Sequence, residues 1–98
     1  MYFAIIGLDK PNMMETRLRV RPIHREYLHG DHQGVTLKLA GPLLASDGAT
    51  MIGSMIIVEA PDLASAEAFS TGDPFRKEDL FSSVEIRPWD WTTGNPDR

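Results

Sequence analysis

The order in which the hydrophobic periodicity changes along the chain constrains the fold more than any other feature. Short runs with the two-residue period of strands alternate with stretches that have the 3.6-residue period of helices. The apolar run Tyr2–Leu8 predicts a buried strand, and "VTLKLAGPLL", "MIGSMIIVEA" and "FSSVEIRPW" predict three more. Helical stretches follow the first and third strands. This β-α-β-β-α-β order predicts a ferredoxin-like α+β fold with a four-stranded antiparallel sheet.

The helical stretches have recognisable ends. The first extends from Met13 to Gln33, and we expect Pro22 to divide it into a short piece and a second piece that begins near the proline. The second lies in "PDLASAEAFS" and ends near Gly72, and "DPFRKEDL" adds another helical turn. The segment "ASDGAT" predicts a hairpin loop. Residues 90–98 are expected to form a loose C-terminal tail.

Length and composition exclude several classes of protein. The chain has 98 residues, which fits a single domain over residues 1–98. Its net charge is -4 and it has no basic block, so we expect no nucleic-acid partner. The absence of cysteine excludes disulfides, thiol nucleophiles and cysteine-ligated zinc. The first apolar run is too short to span a membrane and has no signal-peptide pattern, so we expect no membrane association and a cytoplasmic location.

The sheet of such a fold has a face that needs a partner. The first and third strands should be central, and their residues are mainly apolar on both faces. The edge strands carry Lys38, Glu85 and Arg87 on one face. Two helices can cover only one face of the sheet, which leaves the other exposed. We therefore predict a homodimer through the sheet faces, closing toward a dimeric α+β barrel with pockets at its margins.

His24 is the first candidate site residue. On a helical wheel it shares the inward stripe of Val20, Tyr27 and Leu28, whereas His29 and His32 fall on the opposite, solvent side. A buried neutral histidine bonded to a backbone carbonyl would also explain this position.

Asp73, in "TGDPF", is the second candidate. An aspartate directly before a proline is a good helix N-cap, which alone would account for the residue. In this topology, however, the ends of the two helices can approach each other. A carboxylate that reached His24 would fix the tautomer of the imidazole and raise its basicity.

Other residues have weaker signals. Gly41 and Pro42 are expected to end the second strand, and Gly53 within the third predicts a bulge or a close approach. Arg17 and Arg21 are expected to precede the main helix, where they could steer an anionic substrate or simply be solvated. The segment "HGDH" offers at most two convergent ligands, so we predict no metal site. No serine lies in a nucleophile elbow.

Several segments together resemble the YCII (YciI-like) family: "FAIIGLDKP", "RLRVRPIHREYL", "LAGPLL", "GSMIIVEAPDLASAEAF", "DPFRKEDLF" and "VEIRPW". The resemblance extends to about Trp89. It implies a dimeric α+β barrel and a His–Asp active site, which carries over to His24 and Asp73. A relative with a similar fold acts in chlorinated-aromatic degradation and eliminates chloride from a chlorinated hydroxyquinol.

Two functions fit these observations. In the first, His24 and Asp73 are catalytic and perform acid–base chemistry without a cofactor on a small molecule such as a phenol or enol, by elimination or isomerisation. The expected substrate-binding residues are then Arg17, Arg21, Gly41, Pro42 and Phe75. In the second, the protein is a non-catalytic metabolite-binding or assembly module. Both functions require the pocket, but only the first requires turnover.

Overall fold

Four antiparallel strands form one sheet in the order β2-β3-β1-β4, as predicted for a ferredoxin-like fold. The computed structural model describes residues 1–98. The central strands are β1 and β3, so the predicted division into central and edge strands is confirmed. The elements are β1 (Tyr2–Asp9), α1 (Met14–Leu28), β2 (Thr36–Leu44), β3 (Met51–Glu59), α2 (Leu63–Gly72), α3 (Pro74–Lys77) and β4 (Phe81–Trp89).

The main core lies between the sheet and the helices. Strand alternation directs Phe3 and Ile5 of β1 to the same face as Ile56 and Val58 of β3, because Ile5 pairs with Ile56 and Phe3 with Val58. The helices contribute Leu28, Ala66 and Phe69 to this cluster. The opposite face of the sheet, which we call the open face, is left without helices.

Helix α1 is continuous through Pro22, so the predicted division into two pieces is wrong. A proline inside a helix removes the hydrogen bond to the carbonyl four residues earlier, here that of Leu18. Pro22 and Leu18 are both exposed, so solvent can bind that carbonyl. Arg17 and Arg21 consequently lie within α1 and do not precede it.

Strand β2 also departs from the prediction. Gly41 and Pro42 lie within it and do not end it, since pairing with β3 continues to Leu44. An edge strand tolerates proline because its outer N–H groups have no partner strand. A register shift between Leu37 and Leu39 interrupts the alternation, so that Leu37 packs on the core while Leu39 is exposed.

The C-terminal segment is packed in part, in contrast to the loose tail that we expected. Trp91 and Asn95 are buried, and the Trp91 ring meets the Tyr2 ring edge-on at 5.5 Å between centroids. Asn95 Nδ2 donates to the Tyr2 hydroxyl over 3.2 Å. The tail therefore covers one end of the open face. Elsewhere on this face Leu8, Leu39 and Met55 are exposed. No helix combines the length and apolar character that a membrane span requires.

Candidate active site

A cavity of about 310 Å³ lies between helix α1 and the edge strand β2. Its volume is at the small end of the range for small-molecule sites. One wall is formed by residues of α1, and the other by consecutive residues of β2 with two from β3. The lining residues are Arg17, Arg21, His24, Arg25, Leu28, His29, Leu37, Lys38, Leu39, Ala40, Gly41, Pro42, Ser54 and Ile56.

His24 and Asp73 are in direct contact beside this cavity. The distance between His24 Nδ1 and Asp73 Oδ1 is 2.7 Å, and the two residues are only 6% and 3% exposed. A carboxylate can only accept hydrogen bonds, so the proton lies on Nδ1. In the neutral ring Nε2 is then the unprotonated nitrogen. It has no partner in the protein, and no buried side-chain nitrogen lacks a bond, so Nε2 keeps contact with the cavity.

Asp73 is held in place by a second role. It is the N-cap of α3, and its Oδ1 accepts a bond of 2.9 Å from the Phe75 backbone N–H as well as the bond from His24. Pro74 occupies the first helical position, where its missing N–H removes no hydrogen bond. The helix cap and the contact with His24, which were alternatives in the sequence, are therefore both made by the same carboxylate.

Phe75 supports the imidazole from behind. Its ring stacks on that of His24 with 3.9 Å between centroids and an angle of 17°. Phe75 is fully buried and is not part of the cavity lining. Our expectation that it binds substrate is therefore wrong, because His24 lies against it. Its contribution is to fix the plane of the ring that lines the cavity.

Arg17 forms a buried ion pair beneath the cavity. The residue is 1% exposed, and its guanidinium donates to both carboxylate oxygens of Asp9 over 2.6 and 2.8 Å. It also donates to Ser54 Oγ over 3.0 Å and lies 4.7 Å from the centre of the Phe75 ring. Arg17 is thus neither solvated nor free, because Asp9 at the end of β1 balances its charge.

The other predicted binding residues lie on the cavity walls. Arg21 is on the α1 side, and Gly41 and Pro42 are on the β2 side. Gly53, by contrast, is glycine because the backbone of β1 comes close: a Cβ there would overlap the carbonyl oxygen of Gly7. The close approach of a neighbouring strand, one of the causes considered above, therefore accounts for Gly53.

Tyr27 connects α1 to the segment that carries Asp73. Its hydroxyl donates to the Phe69 carbonyl in the last turns of α2 over 2.8 Å. Burial raises the pKa of the Tyr27 phenol, and the nearby negative charge of Asp73 raises it further. A Cβ at Gly72 would overlap the Tyr27 hydroxyl, so a larger residue directly before Asp73 would force Tyr27 to move.

His29 and His32 differ from each other. His29 is exposed, as expected, and it also lines the cavity at the end of α1. His32 is half-buried, packs against the rings of Tyr27 and Phe69, and donates from Nε2 to the Tyr27 carbonyl. The structure contains no cluster of three or more His, Asp or Glu residues with metal-site geometry.

Sequence reasoning missed three residues of the site: Asp9, Ser54 and Arg25. Asp9 lies in "DKPN", a segment whose composition is typical of a turn, and it gives no local signal of a buried ion pair. Ser54 had a usable signal, because it is the only polar residue within the apolar run "MIGSMIIV" of β3. On a helical wheel Arg25 falls on the side of α1 away from His24, yet it belongs to the cavity lining.

Comparison with known proteins identifies the family of this chain. The model of the YCII-related domain matches residues 1–90. The chain belongs to the YCII family. A YCII relative, "Protein YciI" of Escherichia coli O6:H1, is 33% identical over 94 residues, which cover 91% of this chain and 96% of that protein. An uncharacterized protein of Haemophilus influenzae is 31% identical over the same shares of both chains.

A solved structure extends the comparison to a YCII-like fold with a known enzyme activity. It is 5-chloro-2-hydroxyhydroquinone dehydrochlorinase from Burkholderia phenoliruptrix AC1100, in complex with 2,5-dihydroxybenzoquinone. The TM-score is 0.81 with 28% sequence identity, over 97% of this chain and 99% of the other. The match spans the whole βαββαβ unit, including the elements that carry His24 and Asp73.

Proposed function

We propose that this YCII protein is an enzyme that uses His24 as a general base and acid on a small hydroxylated or enolisable molecule, with elimination or isomerisation as the reaction. The observation that carries the proposal is the buried His24–Asp73 pair, which turns the second imidazole nitrogen toward a cavity of small-molecule size. Proton transfer by a positioned histidine contributes about 10²–10⁴-fold to a rate, and it needs no cofactor.

Each neighbour of His24 has a part in this chemistry. Asp73 holds the proton on Nδ1 and stabilises the imidazolium that forms when Nε2 accepts a proton. Phe75 restrains the ring by stacking. The Ser54 hydroxyl lies on the cavity wall and accepts a bond from Arg17, so its own proton can be donated to a substrate oxygen.

Dehydrochlorination of a chlorinated trihydroxybenzene illustrates a reaction that these groups can perform. Loss of one hydroxyl proton and protonation of the carbon that carries chlorine give a chloroketone. Loss of a second hydroxyl proton then expels chloride with the bonding electron pair and leaves a hydroxyquinone. The sum is loss of HCl, so the step needs no external oxidant, and one base that also returns a proton is sufficient.

We further propose that the working form is a homodimer joined through the open faces. Exposed apolar side chains at Leu8, Leu39 and Met55 support this assembly, since a monomer would leave them in water.

The test is chloride release from 5-chloro-2-hydroxyhydroquinone, followed with wild type, His24→Asn and Asp73→Asn. We expect turnover by wild type, loss of at least a hundredfold in kcat for His24→Asn, and a smaller loss for Asp73→Asn. Lys77→Gln, an exposed substitution away from the cavity, should match wild type. Binding of 2,5-dihydroxybenzoquinone without turnover of this or any related phenol or enol would favour the alternative, a metabolite-binding module.

A further inference from the structure

The cavity beside His24 has a charge that the rest of the chain does not share. The protein is acidic, with 14 Asp and Glu against 10 Lys and Arg. Four of these basic residues line the cavity, and none of the acidic residues does: Arg17, Arg21, Arg25 and Lys38. A cavity lined by one sign of charge in a protein of the opposite sign is selective for the matching ligand.

Two of the four charges have no carboxylate to balance them. Arg17 is paired with Asp9, and Lys38 lies 3.5 Å from the carboxylates of both Glu59 and Asp97. Arg21 and Arg25 form no ion pair with any residue of the chain. The unbalanced positive charge therefore comes from these two guanidinium groups.

Their positions suit a ligand that touches His24. Arg21 and Arg25 are four residues apart on α1, about one helical turn, and His24 directly precedes Arg25. A planar guanidinium matches a carboxylate with two parallel hydrogen bonds, which an ammonium group cannot do.

The opposite wall of the cavity indicates the polarity and size of the rest of the ligand. On this wall Lys38 is the one charged side chain, and it already lies beside the carboxylates of Glu59 and Asp97. The other lining residues of β2 are uncharged, and Ile56 of β3 adds apolar surface. With a volume of about 310 Å³, the space accommodates one ring and not an extended molecule.

We propose that the substrate is a small ring carboxylate, with its carboxylate bound by Arg21 and Arg25 and its reactive hydroxyl or carbon placed at His24. This inference rests on the proposed function, and it adds a charge requirement that the acid–base chemistry alone does not have.

Three ring compounds test the charge requirement directly: 2,5-dihydroxybenzoate, the neutral isostere 2,5-dihydroxybenzamide, and hydroquinone. Calorimetric titration of wild type at low salt should give a Kd for the benzoate at least tenfold lower than for the amide. The preference should diminish as salt is raised, because the interaction is ionic. Equal affinity for benzoate and amide, or failure of all three compounds to bind, would overturn the inference.

Substitutions of the two arginines test whether these residues cause the preference for benzoate over the amide. Arg21→Gln and Arg25→Gln should each reduce the preference for benzoate severalfold while the amide affinity stays within about twofold. Lys77→Gln removes the same charge from an exposed residue outside the cavity and should leave the preference unchanged. A preference that survives in the Arg21→Gln/Arg25→Gln double variant would show that these arginines do not bind the carboxylate.

Failure of this inference is distinguishable from failure of the proposed function. Suppose that chloride is released from the uncharged 5-chloro-2-hydroxyhydroquinone but the protein shows no preference for the benzoate. The proposed enzyme function would then stand, and the proposed carboxylate requirement would be refuted. The opposite result is a benzoate preference that depends on Arg21 and Arg25 and persists in His24→Asn, with no turnover of any compound. It would support the carboxylate-binding site and refute the proposed enzyme function.

Discussion

The hydroxyl of Tyr27 occupies the space where Gly72 would otherwise carry a Cβ. Through this contact and the bond to the Phe69 carbonyl, α1 fixes the end of α2 directly before Asp73. His24 lies on the same helix as Tyr27, one turn earlier, so both partners of the buried pair are positioned by one element. The distance between His24 and Asp73 therefore depends on how tightly Tyr27 packs against Gly72.

Gly72→Ala should destabilise the protein and lower the turnover of the proposed reaction, because the new methyl group overlaps the Tyr27 hydroxyl. Tyr27→Phe alone should cost about 1 kcal/mol for the lost hydrogen bond. The double variant should be more stable than the sum of the single effects predicts, since removal of the hydroxyl relieves the overlap. Urea unfolding of the four proteins measures this. Strict additivity would show that the two sites are not coupled.

The pKa of Tyr27 provides a test of its distance from Asp73. Burial and the Asp73 charge raise the pKa in the folded state, so the unfolded chain ionises first as the pH rises. The contribution of Tyr27 to stability is therefore complete below pH ~10 and is lost as the pH rises through the folded-state pKa. Spectrophotometric titration should show that Asp73→Asn lowers the Tyr27 pKa. An unchanged value would place the carboxylate too far away to act.

The pair of Arg17 and Asp9 should be a major determinant of stability. Asp9→Ala leaves a guanidinium buried without its counter-ion, and we expect a loss of about 3 kcal/mol or more. Glu78→Ala breaks an ion pair with Arg19 in which both side chains are exposed, so it serves as the control and should have an effect near zero. Equal unfolding midpoints for the two variants would contradict the structural role of the buried pair.

The open face should be the site of self-association. Met55 on this face is 43% exposed, and Met55→Glu should convert a dimer to a monomer at micromolar concentration by placing a charge in the interface. Leu63→Glu is the matched control, because Leu63 is 41% exposed but begins α2 on the other side of the sheet. Light scattering that finds wild type monomeric, or Met55→Glu still dimeric, would refute this assembly.

The sequence predicted most of the fold because periodicity and turn residues report locally on strands and helices. The prediction was wrong where the surroundings of a residue overrode a local rule. Pro22 is tolerated inside α1 because Leu18, whose carbonyl it leaves without a partner, is exposed, and the irregularity near Lys38 moves Leu39 to the other face of β2. Periodicity does not reveal such register shifts, which depend on pairing with β3.

The candidate site was predictable only in part, for a different reason. The inward position of His24 follows from helical geometry, and the motif around Asp73 contains both a cap and a carboxylate. The partners of Arg17 do not follow from any local pattern, because Asp9 and Ser54 come from two other strands. A long polar side chain is buried only where tertiary structure brings such partners to it.

The tautomer of His24 tests the central claim most directly, because it requires no knowledge of the substrate. Nitrogen-15 NMR of the histidine side chains in mildly alkaline buffer, assigned with His24→Asn, distinguishes protonated from unprotonated ring nitrogens. We predict a proton on Nδ1 and an unprotonated Nε2 for His24 in wild type, with that preference weakened in Asp73→Asn. A proton on Nε2 in wild type would leave no base facing the cavity and would contradict the account.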